Sequence, residues 1–337
     1  MIYIICFSIA LLLLLYIISY AGVVDYNIVL LCVVVAISNG GYYALSVSTN
    51  LEEAILGNTL SYVLGIFSPL LFFLIMCSIC RLRIPNIAVS IMCAIQIFIY
   101  MTVCTCGKLD IFYKTIQFHQ SEAGTYLTKT YGPMHTVYLI SLAVYTVAGI
   151  VVAIYSISRK TVVSRTNVDI MLFVDLFTIS VYANERLVKN TVELMPIAAT
   201  ITLIIILMTL IKISVYSPYN NPEIIDSEVS SSGYIVFSKR VKYMSSSEYA
   251  KVIFPEIAEW ELEKPIPGDG GKFNTYLRPA LTEFINNSKE RTVSNVFRYK
   301  EQIFCYEIGK IRGSGRSIRG YYIRVFDVTN IPIIENK

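Results

Sequence analysis

The stretch MPIAATITLIIILMTLIKISV, from Met195 to Val215, decides the fold of this chain. At a rise of about 1.5 Å per residue, a helix of this length spans the roughly 30 Å hydrocarbon core of a bilayer. Lys212, near its end, is the one charged residue in the stretch. The sequence before it is predominantly apolar, and the sequence after it is polar with short alternating apolar runs. We therefore predict a last transmembrane helix that leads into a water-soluble domain.

The composition supports this division. The chain has 337 residues, of which 55% are hydrophobic and 15% charged, whereas soluble domains are about 25% charged. Residues 1–216 hold 11 Lys or Arg and 9 Asp or Glu, and residues 217–337 hold 17 and 15. The small, evenly distributed net charge of +4 predicts no nucleic-acid partner. We expect a transmembrane domain at 1–216, a linker at 217–229, an α+β domain at 230–331 and a tail at 332–337.

Seven apolar runs are long enough to cross a bilayer, which makes the lipid bilayer the first predicted partner. The predicted spans are 2–20, 27–47, 59–80, 85–106, 134–157, 167–183 and 192–215. One connection is long, the predicted loop 107–133. The connections after the third and fifth runs contain the basic residues Arg81, Arg83, Arg159, Lys160 and Arg165. These residues lie on the same side of the membrane as Lys212 only if the chain crosses the membrane seven times. The positive-inside rule then predicts an outer N-terminus, an outer loop 107–133 and a cytoplasmic C-terminal domain.

The polar part alternates between strand and helix signals. Strands are predicted at 234–237, 241–244, 292–299, 302–311 and 320–328. A helix is predicted at 245–253, with Ser246 or Ser247 as its cap, and a second helix contains Leu281 and Phe284. The predicted fold class is therefore an all-α seven-helix transmembrane bundle followed by a cytoplasmic α+β domain, with an antiparallel sheet and helices on one face.

This order of strands and helices resembles a PAS domain. Asp327-Val328-Thr329, at the end of the last strand, looks like the exit motif of that family, through which a signal passes to the next segment. The serines at 245–247 stand where the family usually has an asparagine after its second strand. The resemblance therefore implies a PAS-like relay domain without an assigned ligand, and we expect no cofactor.

The membrane part is similar to the N-terminal seven-transmembrane sensor region of bacterial histidine kinases and diguanylate cyclases. The similarity is carried by five short segments and one histidine: Asn39-Gly-Gly-Tyr-Tyr43, Leu51-Glu-Glu-Ala54, Tyr62-Val-Leu-Gly65, His119-Gln-Ser121, Tyr131-Gly-Pro133 and His135. The resemblance implies a bacterial plasma-membrane protein that passes a small-molecule or membrane stimulus through the PAS-like domain. It also implies a homodimer, and an output domain or response protein of a two-component system as partner.

The sequence carries none of the output chemistry of those families. A histidine kinase requires a cytoplasmic phosphoacceptor, but the two histidines, His119 and His135, are both predicted to lie outside. No cyclase signature or phosphate-binding glycine loop occurs either. We expect an input module rather than an enzyme, with its output activity in another segment or protein.

Two sets of residues are candidates for function. The stimulus-sensing candidates are His119, Tyr131 and His135 around the long loop, with Asn39 and Asp175 within the membrane. For the histidines, the alternative is packing at the loop and helix end; two histidines alone predict no metal site. For Asp175, the alternative to a sensing role is a structural hydrogen bond to Asn39 or to a tyrosine. The signal-relay candidates are Pro196, Lys212, Asp327 and Thr329.

A small transporter or channel with a cytoplasmic regulatory domain is the rival interpretation. Asp175 and Asn39 would then line a transport path. No inverted repeat and no pair of broken helices occurs in the sequence, which favours the sensor.

Overall fold

A computed structural model of the chain describes residues 1–19, 25–121, 124–159, 163–188, 193–224, 232–268, 271–287, 289–312 and 317–329. Part of the predicted linker, 225–229, and the predicted tail 332–337 lie outside the described residues. The chain forms two compact units. One comprises residues 1–159 and 165–210, and the other comprises residues 160–164 and 211–337.

Seven helices in the described part of the chain are long and apolar enough to cross a membrane, as predicted. They are α1 (Ile2–Ser19), α2 (Tyr26–Val47), α3 (Leu51–Ile79), α4 (Asn86–Val103), α5 (Pro133–Ile157), α6 (Arg165–Leu187) and α7 (Met195–Val215).

Helix α3 begins eight residues before the predicted start at 59. Its first turn is polar, and a hydropathy pattern assigns such residues to a loop. The Asn50 side chain accepts a hydrogen bond from the Glu53 amide, and Glu53 in turn accepts one from the Thr49 amide at 2.8 Å. This reciprocal capping, with acidic residues at the positive end of the helix, stabilises the added turns.

Helix α6 is also longer than the predicted span 167–183, reaching Leu187. The prediction stopped before Glu185 and Arg186 because charged residues are costly in lipid. Both side chains instead line a polar cavity within the first unit, where each has a hydrogen-bond partner.

The predicted loop 107–133 is folded, which corrects the sequence interpretation. It contains an antiparallel hairpin of β1 (Tyr113–Ser121) and β2 (Gly124–Tyr131), with Tyr113 opposite Tyr131 and His119 opposite Tyr126. Hydrogen bonds between the strands satisfy backbone groups that a loop would leave to water. The hairpin is anchored at its base, where the Gly132 amide donates to the Phe112 carbonyl at 2.8 Å.

Helices α2 and α3 pack at close range through two glycines. A Cβ atom on Gly41 would lie 2.5 Å from the Ser61 backbone nitrogen, and one on Gly57 would lie 2.5 Å from that of Leu45. Small residues at a helix interface allow backbones to approach in this way, and the van der Waals contact they permit drives helix association in lipid.

The second unit contains a five-stranded antiparallel sheet in the order β4-β3-β7-β6-β5. Its strands are β3 (Ser232–Ser238), β4 (Tyr243–Ser246), β5 (Thr292–Tyr299), β6 (Gln302–Arg312) and β7 (Ile318–Asp327). Helices α8 (Glu248–Ile253), α9 (Lys272–Tyr276) and α10 (Arg278–Asn287) lie between β4 and β5 in the chain. The predicted antiparallel sheet is confirmed. Of the two predicted caps, Ser247 accepts from the Ala250 amide, and the helix begins at Glu248 rather than at 245 because β4 extends to Ser246.

Each face of this sheet contributes to a core. Ile235, Phe237 and Ile323 pack with residues of the three helices, among them Ala250, Phe273 and Phe284. On the other side, Val236 and Tyr322 form a cluster with Tyr216 and Ile224, from the segment that follows α7. The chain leaving the last membrane helix is thus packed into the second unit.

The contact between α2 and α3 predicts different effects for two adjacent glycines. Gly41→Ala should destabilise the bundle by about 1–3 kcal/mol relative to Gly40→Ala, because its methyl group would meet backbone atoms of α3. The Gly40 position faces only the Phe7 ring, at 3.3 Å, and a flexible ring can give way. Unfolding in detergent micelles measures both variants. Equal stabilities would contradict the close contact.

Candidate functional site: a polar cavity between the hairpin and the helix bundle

A cavity of about 190 Å³ lies within the first unit, between β2 and helices α2, α3, α5 and α6 and the start of α7. Its wall is rich in tyrosine and in charged side chains. The wall includes Tyr42, Asn58, Tyr62, Lys129, Tyr131, Tyr138, Tyr182, Glu185, Arg186, Glu193 and Met195. Such a concentration of polar groups inside a membrane bundle is a candidate functional site.

Lys129 extends from β2 to helix α3. Its Nζ donates to Asn58 Oδ1 at 2.5 Å and lies 5.5 Å from the centre of the Tyr113 ring. Asn58 is 2% exposed, and Lys129 is half-buried beside it. This desolvation lowers the pKa of Lys129 to about 8, although the charge of Glu193 opposes the effect.

Arg186 supplies a second cation, from the last turn of α6. Its Nη1 donates to the Tyr131 hydroxyl, and its guanidinium lies 5.4 Å from the centre of the Tyr131 ring and 5.1 Å from that of Tyr182. Distances below 6 Å to an aromatic ring are typical of cation–π contacts. The arginine therefore connects the base of the hairpin to α6.

Glu185 connects α6 to the start of α7. Its Oε1 accepts hydrogen bonds from the Leu194 amide and, at 2.7 Å, from the Met195 amide. A carboxylate there satisfies unpaired amides at a helix N-terminus and interacts favourably with the helix dipole. The position of α7 thus depends on a residue of the cavity wall.

The two histidines are not brought together. His135 is buried, and its ring stacks on Tyr131 with centres 3.9 Å apart. His119 stacks on Tyr126, six residues further along β1 than the Tyr113–Tyr131 pair. Six strand residues correspond to about 20 Å. Tyr131 and His135 therefore lie at the cavity end of the hairpin, and His119 lies toward its tip.

Asn39 is connected to α7 rather than to Asp175. Its Nδ2 donates to Thr200 Oγ1 at 3.0 Å, and Thr200 donates to the Pro196 carbonyl at 2.7 Å. The sensing candidate Asn39 and the relay candidate Pro196 thus share one chain of hydrogen bonds. The expected bond between Asp175 and Asn39 does not form among the described residues, where Asn39 donates to Thr200 instead.

Asp175 lies apart from the cavity. It borders a small separate void with Tyr145 and Gly149, and its Oδ2 lies 3.7 Å from where a Cβ of Gly149 would be. Its alternative bond to a tyrosine is also wrong within the part of the chain that the structure describes, since no tyrosine there bonds to this carboxylate.

The remaining relay candidates belong to the second unit. Lys212 Nζ lies 2.7 Å from Glu263 Oε1. Asp327 Oδ1 accepts from the Thr329 amide at 2.9 Å, and Thr329 Oγ1 accepts from the Ile303 amide at 2.9 Å. The Thr329 hydroxyl and amide lower the pKa of Asp327. The end of β7 is therefore fixed to the start of β6.

The arrangement defines a multi-pass membrane protein with a polar site inside its helix bundle. Residues 2–217 match the family described as the N-terminal 7TM region of histidine kinase, and the chain belongs to this family. No curated protein matches the chain.

Most of the cavity residues were not predicted from the sequence; Tyr131 is the only predicted candidate on its wall. The missed residues include Asn58, Lys129, Glu185 and Arg186. One signal could have found two of them, because adjacent opposite charges at 185 and 186, directly after an apolar run, require a polar environment.

The pKa of Lys129 predicts a pH dependence of stability. The folded state releases the lysine proton near pH 8, whereas the unfolded state keeps it to about pH 10.4. Stability should therefore rise with pH across this window, since the unfolded state binds more protons. Lys129→Met lacks the titrating group, so its stability should not rise in this way. Between about pH 8 and pH 10.4 the free energy of unfolding of the variant should therefore fall relative to that of the wild type, by roughly 1–2 kcal/mol after a discount for solvent screening.

The measurement is the thermal midpoint of unfolding in detergent between pH 7 and pH 10.5. Lys114→Met, at an exposed position of β1, is the matched control for loss of a hairpin lysine. A difference between wild type and Lys129→Met that does not vary with pH would contradict burial of the ammonium.

Proposed function

We propose that this chain is the input part of a bacterial membrane signalling protein. In this proposal the seven-helix bundle detects a stimulus at the polar cavity, and α7 transmits the resulting shift to the C-terminal unit. The chain itself performs no catalysis, and its output is carried by another domain or by a separate response protein. Membership of a sensor family supports the sensing role.

The observation that carries this proposal is the path of α7. At its start, Met195 lines the cavity and its amide is held by Glu185. Its residues from 211 onward belong to the second compact unit, where Lys212 pairs with Glu263. The Tyr216 hydroxyl also donates to the Arg319 carbonyl at 3.2 Å. One continuous helix therefore has one end at the site and the other in the domain it would regulate.

A PAS-like identity of the C-terminal unit is part of the proposal. Two strands, three helices and three strands follow one another in the chain, and the first and last strands, β3 and β7, are neighbours in the sheet. Asp327 and Thr329 fix the exit of the last strand, which is where the family passes its signal. Homodimerisation through this unit is part of the same proposal.

The proposed orientation puts the N-terminus and the hairpin outside and the C-terminal unit in the cytoplasm. The basic turns after α3 and α5 support it through the positive-inside rule. Fusions that place a reporter after Lys337 test it. Activity of a reporter that folds only outside the cytoplasm would overturn it.

Relay through α7 predicts different effects for two threonines on the same helix. Thr200→Val removes the hydroxyl that bonds to Asn39, so it should shift α7 and change amide exchange in β3 and β7. Thr209→Val is the matched control, because that hydroxyl bonds within its own helix, to the Ile205 carbonyl at 2.9 Å. Hydrogen–deuterium exchange of the full chain in nanodiscs measures both, and a several-fold change is expected only for Thr200→Val.

Equal exchange in the wild type and Thr200→Val would contradict the relay. The transporter interpretation is tested separately by flux of small ions and metabolites into proteoliposomes. Sensing predicts no flux, and a flux that Asp175→Asn abolishes would replace the proposal.

A further inference from the structure

The cavity contains unused hydrogen-bond donors next to positive charge. Asn58 is 2% exposed, and its Nδ2 has no hydrogen-bond partner in the described chain. Lys129 has three donor hydrogens, and Asn58 Oδ1 is the one acceptor that the described residues give it. Buried donors without acceptors are unfavourable. Lys129 and Asn58 can therefore bind a ligand that has acceptor oxygens and a negative charge.

The rest of the wall limits how much negative charge such a ligand can carry. Glu185 Oε1 is occupied by the first amides of α7. Glu193 also lines the cavity, and no cation of the described residues lies within ion-pair distance of its carboxylate. The cations Lys129 and Arg186 thus face two carboxylates in one cavity. A doubly charged anion would gain no net attraction from this wall, whereas a molecule with one negative and one positive group meets an opposite charge at each end.

The size of the cavity further limits the class of ligand that can bind. Its volume is about 190 Å³. Sites for drug-sized ligands occupy about 300–1,000 Å³. The cavity therefore fits a compact metabolite.

We propose that the cavity binds a small zwitterion of amino-acid size, with its carboxylate at Lys129 and Asn58 and its ammonium at Glu193. This inference rests on the proposed sensing function and names its stimulus. The tyrosines of the wall, Tyr62 and Tyr138 among them, supply aromatic surface and hydroxyl groups for the remainder of the ligand.

The test is calorimetric titration of the full chain in nanodiscs. The probes are the twenty common amino acids, with propionate, propylamine and inorganic phosphate for comparison. At least one amino acid should bind at millimolar concentration or below and about tenfold more tightly than propionate, which lacks the ammonium. No binding of any amino acid, or binding of phosphate or propionate alone, would overturn the proposal.

Variants assign the two ends of the ligand. Lys129→Met and Asn58→Asp should each weaken binding by about tenfold or more. Asn58→Asp places a carboxylate beside the Lys129 ammonium. The new carboxylate competes with that of the ligand for Lys129 but still holds the hairpin to α3. Glu193→Gln should reduce the preference for the amino acid over propionate, and Lys114→Met should change nothing. Unchanged affinity in both Lys129→Met and Asn58→Asp would overturn the assignment.

The two proposals fail separately. If an amino acid binds as described but amide exchange in β3 and β7 stays unchanged, the binding site is supported and the relay is overturned. If Thr200→Val changes that exchange but no amino acid binds, the relay is supported and the ligand assignment is overturned.

Discussion

The hydrogen bond between Lys129 and Asn58 links the hairpin to helix α3 at the wall of the cavity. An ammonium group away from water is stable only when it is hydrogen-bonded, and Asn58 provides that bond. Residues one turn apart share a helix face, so α3 presents Tyr62 and Gly65 beside Asn58. A Cβ on Gly65 would lie 2.6 Å from the Tyr138 hydroxyl, which shows how closely α5 approaches there. The cavity exists because α3 holds the hairpin on one side and admits α5 on the other.

The bundle was predictable because lipid imposes a simple rule. Every backbone polar group must be satisfied within its own segment, so each long apolar run becomes a helix. The prediction was wrong where local chemistry outweighs hydropathy, as at the polar first turn of α3 and the charged last turn of α6. The strands of the C-terminal unit were predicted closely, since the alternating pattern of a half-buried strand is visible in the sequence.

The hairpin and the cavity were not predictable in the same way. The segment 107–133 was predicted as a loop because it connects two apolar runs, although residues 113–131 are rich in Thr and Tyr, which favour strands. Asn58 and Lys129 are 71 positions apart in the chain, and only their tertiary contact shows that they act together. Of the predicted sensing candidates, Tyr131 and His135 lie near the cavity, Asn39 is connected to α7, and His119 and Asp175 lie elsewhere. Sequence reasoning therefore identified the right residue types but could not tell which of them meet.

In the proposed relay, the energies involved decide whether a small ligand can move α7. A ligand shifts an equilibrium only by the difference in its affinity for the two states, and a tenfold preference corresponds to about 1.4 kcal/mol. An interhelical hydrogen bond in a membrane contributes about 0.6 kcal/mol on average, which is the scale expected for the Asn39–Thr200 bond between α2 and α7. A modest preference of the ligand thus exceeds the energy of this contact. In this proposal, a displacement at the start of α7 would travel along one continuous helix, from Met195 at the cavity wall to Val215.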